Sequence, residues 1–259
     1  MIKHICLLLI VIMFCSCLST KDDDKAEVKH VFLLIGQSNI VGRAKLIPGD
    51  DQVIPRAQLW NGESWEPAKA PFNRHSKHIK TKAVQGMNCG PSFIKAFQKE
   101  NPGVKVGIIC WARGGSKIEE WHPDKFKRYD LYNEAVKQTH AALAQGGELK
   151  GILWHQGEAN SKNVADYPKL LKEHVARLRE EFNKAELPFV FGQIGQWRED
   201  FKAFNKMIPQ QVHEIPFSGC VRSDGLTNFD AWHFDHRSQI ELGRRYADKL
   251  AKITSTENK

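Results

Sequence analysis

The sequence of 259 residues contains only six cysteines, and three of them, Cys6, Cys15 and Cys17, lie close to its start. Cysteines that are so few and so unevenly placed do not form a disulfide framework. The sequence also has no internal repeat and no low-complexity segment, whereas 41% of its residues are hydrophobic and 10% are aromatic. This composition buries enough apolar surface to offset the entropy of folding, and it excludes fibrous, disordered and multi-span membrane proteins.

No part of the sequence concentrates positive charge, although 38 Lys and Arg residues outnumber 30 Asp and Glu residues and give a net charge of +8. The basic residues are spread along the whole chain. Proteins that bind nucleic acid through a basic arm cluster these residues in one segment instead. We therefore expect no nucleic-acid partner.

The N-terminus carries one apolar run, residues 5–14, which follows Lys3. At about ten residues, this run is roughly half as long as a membrane span, so it is typical of a signal peptide over residues 1–16. The residues before Cys17 resemble a bacterial lipoprotein box, and residues 17–27 form an acidic tether. We expect a lipid on Cys17 as the only membrane attachment. This predicts an exported outer-membrane or cell-surface lipoprotein, with a periplasmic or secreted protein as the alternative.

Short apolar runs alternate with amphipathic helical patterns in the remaining chain. The expected strands are residues 31–35, 104–110, 151–154, 189–191 and 217–221, and the expected helices are residues 132–144, 166–183 and 237–252. Buried strands that alternate with helices favour a parallel sheet covered on both faces. We therefore predict an α/β fold, a three-layer α/β/α sandwich with a five-stranded parallel sheet, in one domain over residues 28–254. Residues 45–88 lack periodicity and are expected to form an inserted loop beside the site.

A Gly-Gln-Ser-Asn block at residues 36–39 follows the first expected strand. Parallel sheets bind their ligands at the carboxyl ends of the strands, where loops and helix N-termini meet. A serine at that edge, Ser38, can expose its hydroxyl as a nucleophile. The alternative is that Ser38 caps a helix, which is a common role of serine.

Asp230 and His233 lie three residues apart near the C-terminus. A serine hydroxyl becomes a good nucleophile when a base takes its proton, and an imidazole held by a carboxylate is a suitable base. Within a helical turn, Asp230 would lie beside His233. The alternatives are a surface aspartate with a half-buried histidine, or a metal pair of His233 and His236. Because no cysteine and no second His-rich motif completes a zinc site, we expect no metal.

Two further blocks offer hydrogen-bond donors for an oxyanion. Gly114 and Gly115 follow the second expected strand, where backbone N–H groups can approach a ligand closely. Gln156 follows the third strand, and its amide is a neutral donor. Glu158 would orient this amide or a neighbouring loop. The alternatives are a plain strand-to-loop turn for the glycines and a polar loop without chemistry for the second block.

These blocks, in this order, resemble the SGNH-hydrolase superfamily, and specifically its carbohydrate acetylesterases, which include the sialate O-acetylesterase domain and the family 6 acetylxylan esterases. The resemblance runs from about Val31 to Leu250 and includes a Trp-x-Gln-Gly-Glu block at residues 154–158 and an Asp-x-x-His block at residues 230–233. It implies a flavodoxin-like fold, a Ser-His-Asp triad that forms an acyl-enzyme, and no cofactor.

The resemblance also implies a role for each residue. Ser38 would be the nucleophile, His233 the base and Asp230 the group that orients the base. The backbone N–H groups of Ser38 and Gly114 and the side chain of Gln156 would form the oxyanion hole, with Gly114 preferred to Gly115. The residues expected to support these groups or to contact substrate are Gln37, Asn39, Gly115, Glu158, Arg113 and Trp232.

The expected activity is removal of O-acetyl groups from a carbohydrate. The short chain favours an acetylated plant polysaccharide such as acetylxylan, because the larger sialate esterases carry an additional domain. A sialate O-acetylesterase is the alternative, in which Arg43, Arg74 or Arg113 would hold a carboxylate. A surface lipoprotein that binds glycans without catalysis is the alternative from another class. The sequence makes no prediction of the oligomeric state.

Overall fold

The computed structural model of the protein describes residues 29–77, 85–124 and 129–256. The expected signal peptide (1–16), Cys17 and the rest of the tether lie outside these ranges, so they stay predictions. Within the described ranges, none of the helices combines the length and the apolar character that a membrane crossing needs.

In the part of the chain that the structure describes, seven strands form one mixed sheet. They are β1 (His30–Gly36), β2 (Ala57–Trp60), β3 (Trp65–Pro67), β4 (Val106–Ala112), β5 (Glu148–His155), β6 (Phe189–Gly192) and β7 (Ser218–Val221). The strand order is β3-β2-β4-β1-β5-β6-β7, and every neighbouring pair is parallel except the antiparallel pair β2–β3. The five expected strands are all present as β1, β4, β5, β6 and β7. The prediction of a five-stranded, wholly parallel sheet was wrong because β2 and β3 extend it.

The two additional strands form a hairpin inside the segment that the sequence analysis assigned to a loop. Asn61 makes the turn, because its side-chain oxygen accepts hydrogen bonds from the N–H groups of the two residues after Gly62. Gly62 has a φ of +103°, which glycine adopts without strain. Across the hairpin, Trp60 and Trp65 pack edge to face with ring centroids 5.4 Å apart. An Asn-Gly pair between strands is a known hairpin signal.

Within residues 29–77, 85–124 and 129–256, six α-helices accompany the sheet. They are α1 (Ser38–Val41), α2 (Gly90–Glu100), α3 (Leu131–Ala144), α4 (Tyr167–Glu181), α5 (Lys202–Met207) and α6 (His236–Thr256). Along β1, Val31, Leu33 and Ile35 belong to the hydrophobic cluster that includes α3 and α4 residues. Phe32 and Leu34, which point to the other face, belong to the cluster that includes α2 and α6 residues. This alternation explains the three layers, since a strand buried on both faces needs apolar residues at every position.

The carboxyl ends of three central strands bring the sequence blocks to one edge. β1 leads into Ser38, β4 into Gly114 and β5 into Gln156, and the loop with His233 immediately precedes α6. At the end of β1, a Cβ on Gly36 would lie 2.2 Å from the carbonyl oxygen of His155. Only glycine therefore allows β1 and β5 to stay this close where the chain turns into Ser38.

Candidate active site

Ser38, His233 and Asp230 form a continuous chain of hydrogen bonds. His233 Nε2 lies 2.9 Å from Ser38 Oγ. On the other side of the ring, His233 Nδ1 lies 2.7 Å and 2.9 Å from the two carboxylate oxygens of Asp230. These three residues are 195 positions apart at the extremes, and the sheet brings them together at its carboxyl edge. The arrangement can deprotonate the serine hydroxyl.

Asp230 and His233 lie in a tight loop and not in the helical turn that the sequence analysis assumed. An isolated antiparallel bridge between Asn228 and Phe234 closes this loop. Within it, one carboxylate oxygen of Asp230 accepts hydrogen bonds from the N–H groups of Trp232 and His233, both at 2.8 Å. The carboxylate therefore folds the loop and also contacts the imidazole, which explains why the two residues meet at a spacing of three.

The surroundings of His233 favour its neutral form. Burial lowers the pKa of His233 below its ordinary value, the Asp230 carboxylate opposes this, and the nearby Arg43 guanidinium lowers it further. Burial alone would raise the pKa of Asp230, but the hydrogen bonds from His233 and from the Trp232 N–H outweigh burial and hold this pKa below its ordinary value. At neutral pH the pair is a neutral imidazole beside a carboxylate, which is the state that accepts a proton.

The pH dependence of turnover follows from the lowered pKa of His233. Below this pKa the imidazolium cannot take the Ser38 proton, so kcat/KM falls as the pH falls. Because the ordinary histidine pKa is about 6.5, we expect the midpoint of this acid limb below pH 6.5. The measurement is kcat/KM for a soluble aryl acetate between pH 4.5 and pH 8. A midpoint above 6.5 that persists in a Glu158→Gln variant would contradict the assignment to His233.

Two backbone N–H groups at the cavity, those of Ser38 and Gly114, are the candidate donors to an oxyanion. Neither group has a backbone acceptor among the described residues. A Cβ on Gly114 would lie 3.7 Å from Ser38 Cβ, whereas one on Gly115 would meet nothing within 4 Å. Gly114 is therefore the glycine that approaches the nucleophile, and its role as the oxyanion donor stays a prediction. Both glycines line the cavity.

Gln156 is placed differently from the sequence-based expectation of an oxyanion donor. Its side-chain nitrogen lies 3.1 Å from Gln37 Oε1, 3.1 Å from the Ser116 carbonyl oxygen and 2.8 Å from Asn160 Oδ1. Two amide hydrogens facing three acceptors leave none for a ligand, and the side chain does not line the cavity. The structure thus gives Gln156 the role of joining three loops.

Asn160 is a cavity residue that the sequence analysis did not single out. Its Oδ1 accepts from Gln156 and from the N–H of Ile118, and its Nδ2 donates to Glu119 at 2.9 Å. The signal available in the sequence was its position two residues after Glu158, as a polar continuation of the same block. Gln37, another partner of Gln156, also accepts from the backbone of the loop at residues 157–159.

A cavity of about 520 Å³ opens beside Ser38 and His233. Its wall carries three cationic side chains, two carboxylates and one large aromatic ring: Arg43, Lys117, Lys162, Glu119, Glu158 and Trp232. A space of this size holds far more than an acetyl group, since ligand pockets span about 300–1,000 Å³. The cavity can therefore receive the alcohol part of an ester as well.

Only one of the three arginines considered from the sequence lines this cavity. Arg43 lies in its wall, and the buried Nε of this arginine has no hydrogen-bond partner among the described residues. Arg74 instead bonds to Glu66 and to two backbone carbonyls. Arg113 lies over the ring of Tyr129, 3.3 Å from its centroid, and is not part of the cavity wall.

Glu158 is buried at the cavity wall, with 4% of its surface exposed. Burial raises its pKa to about 7, partly offset by hydrogen bonds that include one from Asn39. His155 Nε2 lies 3.8 Å from Glu158 Oε1. Burial lowers the pKa of His155 to about 3, so this histidine is neutral at pH 7 and does not supply a cation to the carboxyl.

The alternative of a histidine metal pair finds no geometric support in the described part of the chain. His236 Nε2 lies 2.8 Å from Asp50 Oδ2, whereas His233 contacts Ser38 and Asp230. Among the residues that the structure describes, no group of three or more His, Cys, Asp or Glu side chains could hold a metal ion.

Comparisons with known proteins find similarity to carbohydrate esterases. The model of the family described as carbohydrate esterase, sialic acid-specific acetylesterase, matches residues 28–252. A probable carbohydrate esterase from Arabidopsis thaliana is 28% identical to this chain, and the match covers 86% of this chain and 93% of the relative. The match therefore extends over nearly the full length of both proteins.

Solved structures show the same fold. A protein from Arabidopsis thaliana superposes with a TM-score of 0.73 at 24% identity, covering 87% of this chain and 98% of that chain. A carbohydrate acetylesterase from Xanthomonas citri gives a TM-score of 0.64 at 18% identity, over 88% of this chain and 57% of that chain. NanS gives 0.64 at 15% identity, over 90% of this chain and 98% of that chain.

Proposed function

Since the chain belongs to the sialic acid-specific acetylesterase family of carbohydrate esterases, we propose that it removes O-acetyl groups from a glycan by a Ser-His-Asp mechanism. Membership in this family confirms the resemblance that the four sequence blocks indicated. The observation that carries the mechanism is the hydrogen-bond chain from Ser38 through His233 to Asp230 at the cavity.

The proposed reaction has two halves. Ser38 Oγ attacks the acetyl carbonyl carbon while His233 Nε2 takes the hydroxyl proton, and Asp230 stabilises the imidazolium. The N–H groups of Ser38 and Gly114 donate to the oxyanion. His233 then gives its proton to the departing sugar oxygen, which leaves an acetyl-serine. Water, activated by His233, attacks this ester, and acetate and free serine are released.

The exposed ring of Trp232 gives the cavity a surface for a sugar. Trp232 is 40% exposed, and the Arg198 guanidinium lies over one face of its ring, 4.0 Å from the centroid. Its backbone is held by the Asp230 carboxylate and by Asn39. A fixed indole at the mouth of the cavity can stack on an apolar sugar face with little loss of conformational entropy.

Two substrate classes remain as candidates. The first candidate, favoured by the sequence, is an acetylated plant polysaccharide such as acetylxylan. Arg43 favours the second candidate, an O-acetylated sialic acid or another acidic sugar, because this cationic side chain lies in the cavity wall. A planar guanidinium binds a carboxylate through paired hydrogen bonds, which a neutral xylan does not offer.

Acetate release and fluorophosphonate labelling test these proposals together. We expect the probe to modify Ser38, and we expect acetate to be released from acetylxylan or from O-acetylated sialic acid. If the substrate is acidic, Arg43→Gln raises KM for the sialic acid by about 10-fold or more, whereas Arg244→Gln, on the exposed face of α6, has no effect. Neither labelling nor acetate release, with glycan binding retained, would support the non-catalytic alternative.

A further inference from the structure

We propose that Asn39, oriented by Glu158, is a positioning residue that holds the loop with His233 against Ser38. The proposal rests on the proposed function, because it assigns a device to the same site. Neither Asn39 nor Glu158 contributes an atom to the proposed reaction.

The side chain of Asn39 joins the nucleophile to both sides of the base. Asn39 directly follows Ser38 and is 1% exposed. Its Nδ2 donates to the carbonyl oxygen of Trp232 at 3.3 Å, and its Oδ1 accepts from the N–H of Phe234 at 3.2 Å. Trp232 and Phe234 are the two neighbours of His233. One amide therefore bonds to the backbone on either side of the imidazole.

Glu158 determines which way round this amide lies. Glu158 Oε1 accepts from Asn39 Nδ2 at 2.5 Å, so the nitrogen faces two acceptors, the carboxyl and the Trp232 carbonyl. The oxygen faces two donors, the Phe234 N–H and Gln239 Nε2 at 3.2 Å. Rotating the amide by half a turn would set acceptor against acceptor and donor against donor. Such mispairing inside a buried site is costly.

This arrangement connects four parts of the chain at one point: α1, the segment at Glu158, the His233 loop and the first turn of α6. The distance from His233 Nε2 to Ser38 Oγ depends on how firmly that loop is held. A displacement of about 1 Å at a reacting pair costs on the order of 10²-fold in rate. Asn39 therefore acts on the rate of Ser38 activation, and a small aryl acetate, which has no sugar to stack on Trp232, should bind as it does to the wild type.

The experiment measures the rate of Ser38 labelling by a fluorophosphonate together with kcat and KM for an aryl acetate. In Asn39→Ala we expect the labelling rate and kcat to fall together by about 10- to 100-fold, with KM within about 2-fold. Glu158→Ala should behave similarly, whereas Glu158→Gln should recover most of the labelling rate that Glu158→Ala loses, because its amide oxygen still accepts from Asn39. Asn205→Ala is the matched control.

Asn205 is a buried asparagine that holds another loop through the carbonyls of Ile194 and Gly195. The Asn205→Ala variant shows how much stability is lost when a buried asparagine amide is removed. Its labelling rate should match that of the wild type. A folded Asn39→Ala protein that labels at the wild-type rate would overturn the proposal. If Asn39→Ala does not fold, equal rates in Glu158→Ala and Glu158→Gln overturn it. Wild-type protein that is never labelled would overturn the proposed function instead.

Discussion

Ser38→Ala is expected to lower kcat for an acetyl ester by about 10⁴- to 10⁶-fold, which is the usual loss when a triad nucleophile is removed. The Ser38 hydroxyl makes its hydrogen bond to His233 Nε2 at 2.9 Å, and alanine leaves the backbone N–H groups of the proposed oxyanion hole in place. The variant therefore loses the covalent step and keeps the cavity. Acetate release measured under single-turnover conditions gives the size of the loss.

The control for this variant is Ser64→Ala. Ser64 lies in the β2–β3 hairpin, where its exposed hydroxyl accepts from Asn61, and its loss should leave turnover within about 2-fold of wild type. Thermal unfolding should show the Ser38→Ala protein to be as stable as its parent. Acetylesterase activity that survives in a folded Ser38→Ala protein would contradict the mechanism.

The sequence predicted those parts of the fold that appear as continuous local patterns of apolar residues. The five apolar runs became strands because each is buried on both faces, and burial on both faces requires such runs. Strand β2 has only four residues, Ala57–Trp60, and it extends the sheet by pairing with β4. Pairing with a distant strand is not visible in local periodicity. The Asn-Gly pair was the local signal for this hairpin, and the many polar residues around it obscured that signal.

Some residues of the candidate site were likewise predictable from the sequence, and others were not. The residue types of Ser38, Asp230 and His233 fit a triad, because the chemistry requires those groups, but their assignment as a triad came from the resemblance of the four sequence blocks to a known family. The role of Gln156 was not predictable, because its amide donates to side-chain and backbone oxygens from two other segments of the chain. The sequence shows that the Gln156 amide can donate hydrogen bonds, but it does not show whether acceptors from other segments already bind that amide. The positions of those acceptors depend on the whole fold.

Asp230→Asn is expected to lower kcat on the order of 10⁴-fold, although it changes the side chain very little. In the structure, Asp230 Oδ1 accepts from two backbone N–H groups, and the Asp230 carboxylate also accepts from Nδ1 of His233. An asparagine would keep its oxygen on the backbone donors and turn its NH₂ toward Nδ1. Nδ1 must then be the acceptor, so Nε2 carries the hydrogen and cannot take the proton of Ser38.

Asp235→Asn separates this tautomer effect from a general change in the loop. Asp235 follows His233 by two residues and accepts from the N–H of Ser238 and from Thr227, without contact to the imidazole. Asparagine retains an acceptor for the start of α6, so turnover should stay within about 3-fold of wild type. Fluorophosphonate labelling should be slow in Asp230→Asn and normal in Asp235→Asn. If both variants label at the same rate, the carboxylate acts only on the loop conformation and does not select the tautomer of His233.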